Sequence, residues 1–209
     1  MGQCPLNMAR PHRPNTIRII GGQWRGRILR FPDATGLRPT PDRVRETLFN
    51  WLGQDLTGRR CLDLFAGSGA LGFEAASRNA VAVTLVERAR AAAEGLVESV
   101  QLLQAEQCRI LRRDALEFLA ECERVAAGDR DGLFDIVFLD PPFGSGLLET
   151  VLERLPGVVG PDALIYLESD VKPGNQAPWR VVREGRAGAV YYALLERGND
   201  EAGDLSGDV

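Results

Sequence analysis

A chain of 209 residues with a formal charge of −4 suits one mildly acidic globular body of roughly 150 residues plus an appendage. A body of that size hides about 70% of its unfolded surface; 44% hydrophobic and 26% charged residues exclude a disordered chain, and no apolar run approaches the roughly 18 residues of a membrane span. The four cysteines (Cys4, Cys61, Cys108 and Cys122) make no CxxC pair and His12 is the one histidine, so neither a metal site nor a Ser/His/Asp hydrolase is expected and the thiols read as reduced.

Residues 1–16 hold Pro5, Pro11 and Pro14 and no apolar stretch of signal-peptide length, which predicts a flexible leader on an unprocessed, cytoplasmic chain. Residues 17–58 read as an N-terminal β-hairpin and helix extension. Apolar runs at 17–20 and 27–31 flank Gly21, Gly22 and Gly26, and Thr40 is placed to cap a helix over 42–51 with Pro41 in its first turn. The apolar side of that helix is Val44, Leu48, Phe49, Trp51 and Leu52.

This front end is basic. The first 60 residues carry 11 Arg against 4 acids, while the other 149 carry 14 basic residues against 25 acids. Such asymmetry is expected where one face meets a polyanion. All basic residues but Lys172 are Arg; its planar fork suits phosphate, although so uniform a choice equally fits the base composition of a genome.

From residue 59 to 197 strands and helices alternate. Strands are predicted over 60–65, 81–87, 108–112 and 134–140, with helices over 70–78, 90–104 and 115–126 between them. That order predicts an α/β body with a mostly parallel sheet covered on both faces. A helix over 147–155 and a strand over 163–168 follow. The runs 179–184 and 189–196 are joined by GRAG alone, too short for a helical crossover, so they form a C-terminal antiparallel hairpin. Residues 198–209 are acidic and Gly-rich and read as a disordered tail.

Two motifs carry chemistry. The string DLFAGSGALG, residues 63–72, lies where a strand turns into a helix, so its glycines let backbone pass close beneath a ligand. Gly67, Gly69 and Gly72 also satisfy GxGxxG, which keeps a dinucleotide site and an NAD-dependent oxidoreductase open. Asp63 sits at the strand's C-terminal lip, where a carboxylate repels a pyrophosphate but holds a cationic aminoacyl group. Glu87 ends the next strand, 20 residues after Gly67, where it can accept both hydroxyls of a ribose. Asp114 follows the third strand and can accept from an adenine amine. Each acid alone also suits a helix N-cap. Together they describe a ligand with an amine, a ribose and an adenine but no phosphate, and S-adenosylmethionine meets that description.

The fourth strand ends in Asp140-Pro141-Pro142-Phe143. The prolines remove two backbone donors and leave the Pro141 carbonyl free to accept from outside. With the Asp140 carboxylate it can take both hydrogens of a planar NH2 group, while Phe143 offers a flat face for a base. Positioning and a preorganised pair of acceptors then activate the amine without a strong base.

In order and spacing these residues resemble the class I S-adenosylmethionine-dependent methyltransferases, whose Rossmann-like sheet also ends in an antiparallel hairpin. At the front, RIIGGQWRGRILRFP and GLRPTPDRVRETLFNWL resemble the bacterial 16S ribosomal RNA guanine-N2 methyltransferase D family, over about residues 17–196. The resemblance implies S-adenosylmethionine as cofactor, bound by Asp63, Phe65, Gly67, Ser68, Gly69, Glu87, Asp114 and Ala115. It implies that Asp140, Pro141 and Phe143 hold a guanine of 16S ribosomal RNA, presented in an assembled small subunit to a monomer. From the residues themselves, Arg18, Arg25, Arg27 and Arg30 cluster on the hairpin beside Trp24, and Arg38, Arg43 and Arg45 surround the RPTPDR turn, forming an expected RNA face. The plainer alternative is a solvated hairpin whose Trp24 packs on the body, with Arg38 and Arg43 turned to acids near the pocket. Other amines (adenine N6, a protein amide) and a non-catalytic RNA-binding role remain rival functions.

Overall fold

The computed structural model describes residues 15–32, 39–126 and 133–198. The expected leader, Arg38 and the expected acidic tail lie outside the described residues, apart from positions 15, 16 and 198 at their margins. The chain opens with a short hairpin, β1 (Thr16–Arg18) against β2 (Ile28–Arg30), and α1 (Asp42–Leu52). The body then runs β3 (Arg60–Asp63), α2 (Ala70–Ser77), β4 (Ala82–Val86), α3 (Arg90–Leu103), β5 (Cys108–Leu111), α4 (Ala115–Ala126) and β6 (Phe134–Leu139). After these come α5 (Leu147–Arg154), β7 (Val159–Ser169), β8 (Trp179–Ala187) and β9 (Val190–Arg197).

Seven strands form one sheet in the order β5-β4-β3-β6-β7-β9-β8. Pairing is parallel from β5 to β7, and β9 runs antiparallel to both its neighbours. The succession of strands reverses between β3 and β6, which opens a crevice at their C-terminal ends. Helices cover both faces. Alternate residues of β6 divide between them: Ile136 and Phe138 face α1, α2 and α3, whereas Val137 and Leu139 face α4 and α5. Among the described residues no helix is long and apolar enough to cross a membrane.

Two elements differ from expectation. β7 begins four residues before position 163, because Val159 pairs with Phe134 ahead of a register shift that draws Gly160-Pro161-Asp162 into the strand. Thr40 does not cap α1. Pro41 takes the N-cap position without a side-chain cap, and the Thr40 hydroxyl instead donates to Glu168 Oε1 at 2.6 Å.

The N-terminal extension shares a core with the sheet. Ile17, Ile19, Leu29, Leu48 and Phe49 pack in one cluster with Phe73, Phe138 and Leu194. At its centre lies α2, all eight residues of which are buried, including the carboxylate of Glu74. That carboxylate accepts from the backbone N–H of Ile20 at 2.9 Å and of Gly21 at 2.7 Å. It also pairs with the guanidinium groups of Arg45 at 3.4 Å and Arg78 at 2.9 Å. One turn on, Ser77 Oγ accepts from the Trp24 N–H and donates to the Gly21 carbonyl. The contact is close enough to require glycine: a Cβ on Gly22 would sit 1.8 Å from the Ser77 carbonyl oxygen, at φ +72.

Arg45 therefore corrects the expected RNA face. It is 1% exposed and spans Glu74, Asp42 and the Arg18 carbonyl, so no phosphate reaches it.

Removing one partner from a buried ion cluster strands the others without water or counter-charge. Glu74→Ala is expected to lower unfolding free energy by about 3–5 kcal/mol, against about 1–2 kcal/mol for Ser77→Ala, both read from denaturant midpoints. Equal losses would mean that the ion pairs add nothing beyond ordinary hydrogen bonds.

Candidate active site

Strand ends bring the acids together. A cavity of about 340 Å3 opens at the C-terminal edge of the parallel strands. Its lining includes Asp63, Phe65, Gly67, Ser68, Glu87, Asp114 and Ala115 on one side and Asp140, Pro141, Pro142 and Phe143 on the other. Of the residues expected to contact a cofactor, Gly69 alone does not line it. At φ +76 it turns the chain into α2, and a Cβ there would meet Phe73 and Leu96 at 2.5 and 2.6 Å, so its part is close packing beneath the loop.

Asp63, Glu87 and Asp114 are each held by backbone donors. Asp63, 3% exposed, accepts from the Gly72 N–H at 2.9 Å. Burial pushes its carboxyl up to about 7, with the Glu87 charge adding to the rise and the Gly72 bond opposing it. Glu87 accepts from Gly67 at 3.0 Å and Ala89 at 2.6 Å, which ties the glycine loop to the end of β4. Each carboxylate oxygen carries two lone pairs, so these bonds leave acceptor capacity at the cavity wall. Asp114 does meet the capping alternative: its Oδ1 accepts from Leu116 at 2.9 Å and Glu117 at 3.4 Å, at the start of α4. It lines the cavity as well.

Asp140 has no hydrogen-bond partner among the described residues. Burial, then the charges of Glu168 and Asp63, raise its carboxyl above the ordinary range. Pro141 is buried beside it, and Phe143 stands at the rim with 48% of its surface exposed. Several carboxylates in one low-dielectric cavity, with Asp63 and Asp140 each raised further by a neighbouring carboxylate, make a site short of positive charge. An organic cation would relieve that, and a planar amine could donate to Asp140. Among the described residues no three His, Cys, Asp or Glu side chains converge closely enough to hold a metal ion.

Glu168 and Tyr166 escaped the sequence reading, which gave Thr40 only a capping role. Glu168 is the last residue but one of β7, is 6% exposed, and accepts on Oε1 from Thr40 at 2.6 Å and Tyr166 at 3.0 Å. Burial raises its carboxyl too. The signal was present: the strand expected over 163–168 closes on Glu168 as β3 closes on Asp63, and the same rule applied to the fifth parallel strand reaches it.

Outside the cavity, Arg25, Arg27, Arg30 and Arg43 are exposed and make no ion pair among the described residues. Trp24 packs partly against the core, so the hairpin is both anchored and charged.

An unfolded aspartate titrates near 4 and folded Asp63 near 7, so between those values the folded chain holds a proton that the unfolded chain has released. Stability of the unliganded protein is therefore expected to fall as pH rises through that window. Asp140 and Glu168 shift the same way, so Asp63→Asn removes part of the slope in denaturation midpoints against pH. An unchanged slope would place the titration elsewhere.

A family model described as conserved hypothetical protein 95 matches residues 17–196. Ribosomal RNA small subunit methyltransferase D of Escherichia coli strain K12 is 48% identical over 186 residues, covering 87% of this chain and 90% of that one. The protein of the same name from Haemophilus influenzae is 40% identical over 195 residues, covering 89% and 96%. A solved structure of a putative methyltransferase from Escherichia coli superposes with a TM-score of 0.77 at 48% identity, covering 88% of this chain and 99% of that one. The chain belongs to the ribosomal RNA small subunit methyltransferase D family.

Proposed function

We propose that this chain transfers a methyl group from S-adenosylmethionine to the exocyclic N2 amine of a guanine in 16S ribosomal RNA, presented in an assembled small subunit in the cytoplasm. The observation that carries the reading is the shared cavity. Asp140 and Pro141, with Phe143 at the rim, open onto the same space as Asp63 and the glycine loop. Family membership supports methyl transfer to ribosomal RNA and sets the oxidoreductase reading aside.

The residues present fit the cofactor. Asp63, whose buried carboxyl lacks a cationic partner among the described residues, suits the aminoacyl ammonium. Glu87 suits the ribose hydroxyls, Asp114 and Ala115 the adenine, and Phe65, Gly67 and Ser68 the loop wall between them. Bound there, S-adenosylmethionine supplies an electrophilic methyl on a positively charged sulfur.

The protein's own work falls on the amine. Asp140 and the Pro141 carbonyl each accept one N2 hydrogen, which draws the nitrogen from planar toward tetrahedral and frees its lone pair from the ring. The lone pair forms the new N–C bond while the S–C pair stays with sulfur, and one N2 proton leaves through Asp140. Acceptors fixed in place by the fold need no reorganisation as charge develops. Phe143 stacks on the base, which must leave its helix or loop to arrive. Arg25, Arg27, Arg30 and Arg43, with Arg38 by its place in the sequence, hold phosphates and so position the RNA without reading its letters.

Asp140→Ala is expected to leave S-adenosylmethionine affinity within about twofold while lowering turnover roughly 100- to 1,000-fold, measured by calorimetry and by mass spectrometry of ribosomal RNA nucleosides. Equal loss of both would remove Asp140 from the reaction, and a product other than N2-methylguanosine would overturn the guanine assignment. Neutralising Arg25, Arg27 and Arg30 together should weaken RNA binding and lower the slope of log affinity against log salt by about 2–3. An unchanged slope would take the hairpin off the phosphates.

A further inference from the structure

The target amine occupies one acceptor pair, yet the cavity holds a second buried carboxylate beside it. Parallel pairing sets Leu139 of β6 opposite Leu167 of β7, so Asp140 and Glu168 follow as neighbours across strands about 5 Å apart. Both line the cavity. Thr40 and Tyr166 both donate to Glu168 Oε1, which fixes the side chain and leaves Oε2 without a hydrogen-bond partner among the described residues. A side chain 94% withdrawn from solvent, braced on one oxygen and free on the other, faces a ligand rather than water.

We infer that Glu168 is a base-specificity residue: its Oε2 accepts the N1–H of the target guanine while Asp140 accepts from the adjacent N2 amine. This rests on the guanine-N2 reading and gives it a selective element. The pairing edge of guanine presents two neighbouring donors, N1–H and N2–H. Adenine presents a donor beside the N1 lone pair, so one of two adjacent carboxylates would meet a lone pair and stay unsatisfied. A site built around a buried acceptor rejects an analogue lacking the donor far more strongly than it rejects a change of shape. Tyr166 and Thr40 are positioning residues here, acting through Glu168.

The test uses 2-aminopurine, which keeps the N2 amine but has no N1–H. Small subunits are assembled with guanine or 2-aminopurine at the position that the wild-type enzyme labels, and kcat/KM is compared. The wild-type chain is expected to prefer guanine roughly 100-fold or more, and Glu168→Gln, which turns an amide donor toward N1, to cut that preference below about tenfold. Binding of S-adenosylmethionine by Glu168→Gln reports that its fold is intact. Thr40→Val, which loosens Glu168 but keeps its carboxylate, is expected to lower the rate on guanine while retaining most of the preference.

Wild-type enzyme that labels both bases equally would overturn the inference without any variant. So would a folded Glu168→Gln with undiminished preference, or a Thr40→Val that loses preference as fully as Glu168→Gln. Wild-type enzyme that forms no N2-methylguanosine at all would overturn the guanine-N2 reading, and this inference with it.

Discussion

The carboxylate of Glu74, fully buried in the middle of α2, is the interaction on which the arrangement of the chain turns. Two backbone N–H groups of the hairpin loop, a guanidinium from α1 and another from the end of its own helix meet it. A buried ion cluster adds little net stability compared with well-packed apolar groups. What it does supply is intolerance of alternatives, because a shift in any one partner leaves a charge stranded. Since α2 begins immediately after the glycine loop, that intolerance is transmitted to the cavity floor. The exposed arginines of the hairpin and the wall that receives the reacting groups are therefore parts of one rigid piece.

The cavity follows the opposite electrostatic rule. Glu74 is fully compensated, whereas Asp63 and Glu168 are buried and Asp140 half-buried with no cationic partner among the described residues, and their carboxyls rise accordingly. A protein that satisfies one acid so thoroughly could have satisfied the others. Leaving them short of charge at the strand ends destabilises the empty site and favours the filled one. Glu74 and the three acids of the cavity thus separate structural from chemical demand.

Much of this was legible in the sequence, because it depends on local patterns. Short continuous apolar strands alternating with helices predicted the parallel sheet, the short GRAG link predicted the antiparallel end, and acids closing successive strands marked the cavity wall. What escaped depends on residues far apart in the chain. Thr40 looked like a helix cap because it precedes Pro41 and α1, but its partner Glu168 lies 128 positions away. Arg45 looked like one more surface arginine, and only packing against Glu74, 29 positions on, removes it from solvent. Gly69 belonged to a ligand-binding string yet serves Phe73 and Leu96, since glycines for close packing and glycines for close binding are alike in sequence.

The half-exposed ring of Phe143 has a consequence for how a target is chosen on the proposed reading. Every base has a flat face, so stacking on that ring is indifferent to sequence, and arginine contacts to phosphate are equally indifferent. The base pocket can distinguish a guanine from an adenine, but it cannot tell one guanine from the thousands in a cell. The address must then be architectural: the RNA has to be folded so that a single guanine can be swung out while the surrounding backbone lies across the basic hairpin. Selection of the site is thus a property of the shape of the substrate as much as of the enzyme.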